Sequence, residues 1–190
     1  MIYRENILEV IKMTRKEERT ESAVKKGYEA FKNSFNCAQS TFAGLMREFR
    51  PDDPAMDTLM SAIYPFAGGG CRGDTCGGVN GALMFLGVLY YKDDTQTPYG
   101  FIKQPAISKP VRGYGIATEY VDRYVAKWGS VMCREVHPQI MGKQYDLTDP
   151  TDAGKFYMDG ASYKCQEIIE FAIRTVCDMI LDDDGNIKKL

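Results

Sequence analysis

The sequence predicts an all-α protein: a single-domain helical bundle in which a glycine-rich loop leads into a helix starting at Cys76. Three observations carry this expectation. Apolar residues recur at helical spacing, as in Ala23, Val24, Tyr28 and Phe31, and again in Ile116, Tyr120, Val121, Tyr124 and Trp128. No convincing strand pattern appears anywhere in the chain. A length of 190 residues, 44% hydrophobic and 26% charged, is ordinary globular composition and can bury a core without disulfide help.

The elements follow in order. An N-terminal helix is expected over residues 5–20, peripheral to a cysteine-bearing core of about 22–181. Glu21 to Phe31 is the next helical segment. Asn33, Ser34 and Asn36 offer a break with caps before a helix from about Ser34 to Phe49. Arg50-Pro51-Asp52-Asp53-Pro54 ends it, because Pro51 cannot continue a helix and Pro54 suits a first turn. Ala55 to Tyr64 reads as a short helix. Gly68, Gly69, Gly70 and Gly73 then fall within six residues, a run that suits positive φ or close backbone approach. Asp74 or Thr75 can cap the helix Cys76 to Tyr91. Residues 92–112 hold Pro98, Pro105 and Pro110 and read as a long loop. Tyr114 to Val136 reads as one helix stopped by His137-Pro138, and Gly142 to Thr151 as another loop. Ala153 to Leu181 is expected to be one long helix, and the polar tail 182–190 is expected to fray. One domain, 1–190, is the default.

Several function classes drop out. A net charge of −2 gives no nucleic-acid footprint, which needs a concentrated basic face. The basic cluster Lys12 to Lys26 is interleaved with Glu17, Glu18 and Glu21, as on a solvated helix. The longest apolar run, Val79 to Tyr91, is broken by Asn80 and is short of the roughly 20 residues that span a bilayer. No targeting segment is visible, so the expectation is a cytoplasmic protein with no membrane span. Gly68 to Thr75 has the spacing of a phosphate-binding loop, but the position needing lysine is Asp74, which would repel phosphate. Asp182-Asp183-Asp184-Gly185 lacks the alternating ligands and closing glutamate of a calcium loop.

The six cysteines remain: Cys37, Cys71, Cys76, Cys133, Cys165 and Cys177. In a reducing compartment such residues serve more often as metal ligands, redox-active thiols or buried apolar groups than as structural disulfides. None forms a C-x-x-C pair or a haem-attachment motif. Cys76 opens a helix, where free N–H groups and the helix dipole stabilise a thiolate. Arg72 adds positive charge nearby, and Asp74 partly cancels it. Cys177 fits the apolar stripe of the last helix and reads as core. His137, the only histidine, stands four residues after Cys133. It reads as a helix C-terminal residue before Pro138, with a mixed Cys/His metal pair as the alternative. Gly77 and Gly81 make a strip of small residues on the helix after Cys76, suited to close packing of another helix or a bound group.

These residues carry a resemblance. The early Cys37 in FNCAQS, the run Cys76-Gly77-Gly78-Val79-Asn80-Gly81 after a glycine-rich turn, Cys133 in WGSVMCREV and Cys165 in YKCQEIIEFA resemble the C_GCAxxG_C_C family of redox-active proteins. The agreement runs over most of residues 22–177. Gly78 stands where the motif has alanine, Cys71 and Cys177 are additional, and the loops 92–112 and 138–151 look like insertions. The resemblance implies that Cys37, Cys76, Cys133 and Cys165 converge, as ligands or as redox-active thiols. Three readings follow. The leading one is an iron–sulfur cluster on those four cysteines, with Cys71 beside them, in an electron-transfer protein with a redox partner protein. The second is a metal-free thiol–disulfide oxidoreductase in which Cys76 attacks and a neighbour, Cys71 nearest in sequence, resolves. The third is a structural zinc site. Any Tyr and Met left exposed would mark the face of a homodimer.

Overall fold

The structure, a computed structural model, describes residues 13–33, 36–91 and 108–189. Among these, no strand forms, and no helix is long and apolar enough to cross a membrane. The elements are α1 (Arg15–Lys32), α2 (Cys37–Phe49), α3 (Met56–Ile63), a 3₁₀ turn (Tyr64–Phe66), a wide turn (Gly69–Gly73), α4 (Gly77–Tyr91), α5 (Ser108–Trp128), α6 (Cys133–Met141), α7 (Pro150–Phe156), a second wide turn (Tyr157–Ala161), the single turn α8 (Ser162–Lys164) and α9 (Gln166–Ile180). The fold is all-α, as the apolar spacing predicts. The expected N-terminal helix lies outside the described residues except for its last turn, which belongs to α1. That helix then runs on unbroken to Lys32.

Helix α2 is the centre of the bundle. Every residue from Ala38 to Met46 is buried, so the helix meets neighbours on all sides. Helices α1, α4 and α9 pack around it, and α5 closes the far side of α4 and α9. Close approach depends on missing side chains. A Cβ on Gly81 would stand 2.5 Å from the Ala38 carbonyl oxygen, and one on Gly44 would stand 2.8 Å from that of Ala23. The Ile173 side chain fills the space left where Gly27 faces Gly44. The main apolar core results, with Phe42, Leu45, Phe85, Tyr120, Tyr124, Ile169 and Ile173 inaccessible to solvent, and a smaller cluster of Met141, Tyr145, Phe156 and Ala161 forms beside it.

Polar contacts close the outside. Thr14 and Glu17 cap α1 reciprocally. Glu48, its side chain only 10% exposed, pairs with Arg19 at 3.2 Å and Lys26 at 2.7 Å. Burial raises the Glu48 pKa, but the hydrogen bonds from Lys26, Ser22 and Arg19 outweigh it, and the carboxyl sits below its ordinary range.

Four boundaries differ from the sequence expectation. The helix expected over Tyr114 to Val136 is two, α5 and α6, parted at Gly129 (φ +73°). His137-Pro138 does not stop the second. Pro138 sits inside α6 at the loss of one backbone hydrogen bond, and the helix ends at Gly142 with φ +81°. Ala153 to Leu181 is interrupted at Gly160 (φ +103°), so α9 starts only at Gln166. The loop expected over 92–112 lies outside the described residues up to 107, and its last residues form the start of α5. The tail is tied down rather than frayed. Lys188 N–H donates to the Ile180 carbonyl at 2.8 Å, and Arg19 donates to the Gly185 carbonyl at 2.8 Å.

Candidate functional site

Four helices begin with a cysteine, and all four cysteines line one chamber of about 470 Å³. Cys37 is the first residue of α2 and Cys133 the first of α6. Cys76 immediately precedes α4, and Cys165 is the N-cap of α9. A helix start leaves N–H groups without intrahelical partners and carries a partial positive charge, both favourable to a thiolate. The sequence separation of 128 residues between Cys37 and Cys165 is bridged by the packing of α2, α4 and α9 against one another.

Each thiol has its own surroundings. The Cys76 sulfur lies where the N–H groups of Gly78 and Val79 point, so it caps its own helix. The Cys133 thiol directed at it, and then the Tyr124 hydroxyl, add to these donors. Against the opposing effect of burial they hold Cys76 at about 7, below the ordinary thiol value. The Cys37 sulfur receives the N–H groups of Gly68, Ala38 and Gly77. Burial and the charge of Cys76 nevertheless push it up to about 11. Cys133 is pushed well above the thiol range, first by its hydrogen bond to Cys76 and then by burial. Burial does the same to Cys165, helped by Cys37 and Cys76. Of the four, Cys76 is therefore the thiol that gives up its proton most readily in the metal-free chamber.

Backbone pairing sets the Cys76–Cys133 contact. Cys76 N–H donates to the Val131 carbonyl at 2.7 Å, and Cys133 N–H donates to the Asp74 carbonyl at 2.6 Å. Thr75 and Met132 thus form an isolated antiparallel bridge that carries the two cysteines side by side. The glycine loop reaches this bridge through a left-handed turn. Gly68, Gly69 and Gly70 have φ between +55° and +64°, and Cys71 follows at +56°. Cys71 is the one non-glycine residue with positive φ among those described, a conformation that an L side chain seldom adopts. It lies exposed at the rim of the same chamber.

His137 stands mid-helix in the chamber wall, only 2% exposed, and not at a helix end. Its Nε2 accepts the Tyr145 N–H at 3.1 Å, which leaves the proton of the neutral ring on Nδ1. Nδ1 faces the Cys133 sulfur at 3.9 Å. Burial depresses its pKa, so the neutral ring offers Cys133 a donor and not a base. Among the described residues no three His, Cys, Asp or Glu side chains gather round one point as a single ion requires, so the Cys133–His137 metal pair finds no third ligand. Cys177 is fully buried in the core, away from the chamber, as its place on the α9 stripe predicts.

Two residues of the site went unread in the sequence. The Tyr124 hydroxyl is buried beside the Cys76 sulfur. Tyr157, on the turn that Gly160 interrupts, lies within the influence of Cys71, Cys37 and Cys165. Only that glycine, inside an otherwise helical pattern, signalled a break there.

No curated protein and no solved structure matches this chain. The family described as "Putative redox-active protein (C_GCAxxG_C_C)" matches over residues 35–179, a span that holds every cysteine of the chamber. The chain therefore belongs to the C_GCAxxG_C_C family of redox-active proteins.

Proposed function

We propose that Cys37, Cys76, Cys133 and Cys165 hold an iron–sulfur cluster and that the protein carries electrons to and from a redox partner in a reducing compartment. The observation that supports this reading is the convergence of four helix N-termini, each with a cysteine, on one chamber. Four thiolates are the standard complement for such a cluster. The donor set fits: all four ligands are soft, and N–H groups aimed at the Cys37 and Cys76 sulfurs offset the negative charge of thiolate ligands. A bound cluster supplies one-electron exchange without proton transfer. The chain supplies the positive helix ends, a water-poor wall of Val136, Phe156 and Ile168, and the His137 donor beside Cys133.

The Cys76–Cys133 contact favours a second reading, thiol–disulfide exchange. There the Cys76 thiolate attacks a substrate disulfide, displacing one substrate thiolate and leaving a mixed disulfide; Cys133 then gives up its proton and attacks the Cys76 sulfur, so that the mixed disulfide breaks, the second substrate thiolate leaves and the internal disulfide closes. The backbone bridge beside Cys76 supports Cys133 as the resolving partner over the sequence neighbour Cys71. One experiment separates these readings: iron, zinc and acid-labile sulfide content of protein purified without air, with its visible spectrum. Iron with equivalent sulfide, lost in Cys76→Ser and Cys165→Ser, is the expected result. Neither metal nor sulfide after a reconstitution attempt refutes the cluster and leaves disulfide exchange. Zinc alone would make the site structural.

A further inference from the structure

The chamber holds more than its cysteines need. Cys76 and Cys133 are buried at its inner end, and Cys37 and Cys165 are half-buried. Its outer part is walled by apolar and aromatic side chains: Tyr64, Leu147, Ala153, Phe156 and Tyr157. Tyr64 and Tyr157 remain 64% and 62% exposed although both face the opening. Large aromatic surface left in water around a concave site is a mark of a binding surface.

The chemistry of the wall selects its ligand. No Lys, Arg, Asp or Glu lines the chamber among the described residues, and the helix-start N–H groups that carry positive charge there are turned to the Cys37 and Cys76 sulfurs, so no side chain is left to neutralise a charged group of a ligand. The polar groups in reach are largely engaged. The Asn36 side chain accepts from Gln39 N–H and donates to the Tyr64 carbonyl, and His137 Nε2 is held by Tyr145. What the wall offers is apolar area and ring faces. A volume of about 470 Å³ lies within the range of small-molecule pockets.

We infer that the outer chamber is a binding site for a small, uncharged, planar aromatic molecule, held between the rings of Tyr64 and Tyr157 against Phe156, facing the cysteines. The inference rests on the chamber being the redox site, and it names the class of molecule that meets that site. Burying such a ring against several aromatic side chains combines area burial with ring-on-ring contact.

The test uses full-length protein purified without air, with 2-naphthol as the uncharged probe and naphthalene-2-sulfonate as its charged counterpart. Calorimetric titration is expected to show one saturable 2-naphthol site per chain, with the sulfonate at least about tenfold weaker. Tyr157→Ala, an exposed position that leaves the core intact, is expected to weaken 2-naphthol about five- to tenfold. Ala153→Phe, which fills the outer chamber, is expected to abolish binding. Far-ultraviolet circular dichroism and the unfolding midpoint show that each variant is folded. No saturable site, equal binding of the two probes, or binding indifferent to both variants overturns the inference. So would occupation of the opening by a second copy of the chain that 2-naphthol cannot displace. Iron and sulfide are measured on the same preparation. Binding without iron removes the cluster and keeps the aromatic site; iron without binding does the reverse.

Discussion

Gly77 is where the chamber and the bundle depend on the same atom being absent. A Cβ built there would stand 2.3 Å from the Cys37 sulfur and 2.7 Å from the Ala38 nitrogen. The sulfur can swing, but the Ala38 nitrogen is backbone at the start of α2, so Gly77→Ala must push α2 and α4 apart. Overpacking of this kind costs about 1–3 kcal/mol, and misaligning the Gly77 N–H from the Cys37 sulfur adds about 1 kcal/mol. The intrinsic preference of a helix for alanine over glycine returns about 0.5–1 kcal/mol, so the net loss is about 2 kcal/mol. Gly87, on the same helix, is the control: a Cβ there meets nothing within 4 Å. Gly87→Ala gains the propensity term alone, about 0.5–1 kcal/mol. Urea unfolding measures both. With a slope of about 2 kcal/mol per molar urea, the midpoint falls by about 1 M for the first variant and rises by a few tenths for the second. Gly77→Ala protein as stable as the native chain, or a Gly87→Ala protein equally damaged, would refute the argument from close approach.

Three further outcomes are expected. In reduced, metal-free Cys71→Ser protein, the chamber thiol alkylated fastest by iodoacetamide shows a rate midpoint near pH 7 and not near 9, and adding Cys76→Ser removes that step. His137→Leu leaves the buried Tyr145 N–H without its acceptor and lowers stability by about 1–3 kcal/mol; nitrogen NMR of the native ring finds the proton on Nδ1, and a proton on Nε2 would contradict the assigned donor role. Glu48→Gln is destabilising by about 1–2 kcal/mol at pH 7, read by urea unfolding. Because the folded pKa lies below the ordinary glutamate value, the native carboxylate contributes fully above that value. Its advantage over glutamine disappears as the pH falls through the folded pKa.

The sequence made the helices and the cysteine set legible for different reasons. Helical spacing announced α1 and α9 because each buries a continuous stripe, and it placed Cys177 in the core correctly; α2, buried on all sides, was announced by the capping residues at its start. It joined α5 to α6 because Gly129 falls just after Trp128, at the end of a stripe, where a left-handed residue changes direction without breaking the pattern. The same blindness put Cys133 at the end of a helix when it stands at the start of one. That error hid the common design, since Cys133 and Cys165 were legible only through the family resemblance and not as helix-start residues. Tyr157 was hidden for a related reason. The turn that carries it depends on Gly160 at φ +103°, and the aromatic pattern on either side reads as uninterrupted helix. The partnership of His137 with Tyr145 spans a loop, and no local rule connects an imidazole to a backbone N–H eight residues on.

The five sulfurs of the chamber do not share one mechanical footing. Cys37 and Cys76 start helices locked together along Gly77 and Gly81, where even a methyl group has no room, and this pair forms an anvil. Cys165 instead follows a wide turn and a single helical turn, and Cys71 closes a left-handed one. Cys133 has a third footing, since the backbone bridge ties it beside Cys76. A change of spacing against Cys165 or Cys71 falls on the Tyr157–Lys164 segment and the glycine turn, where left-handed glycines interrupt the helical path, more than on the close-packed α2 and α4. Those two stretches form the spring of the device, and both border the opening where Tyr64 and Tyr157 meet solvent.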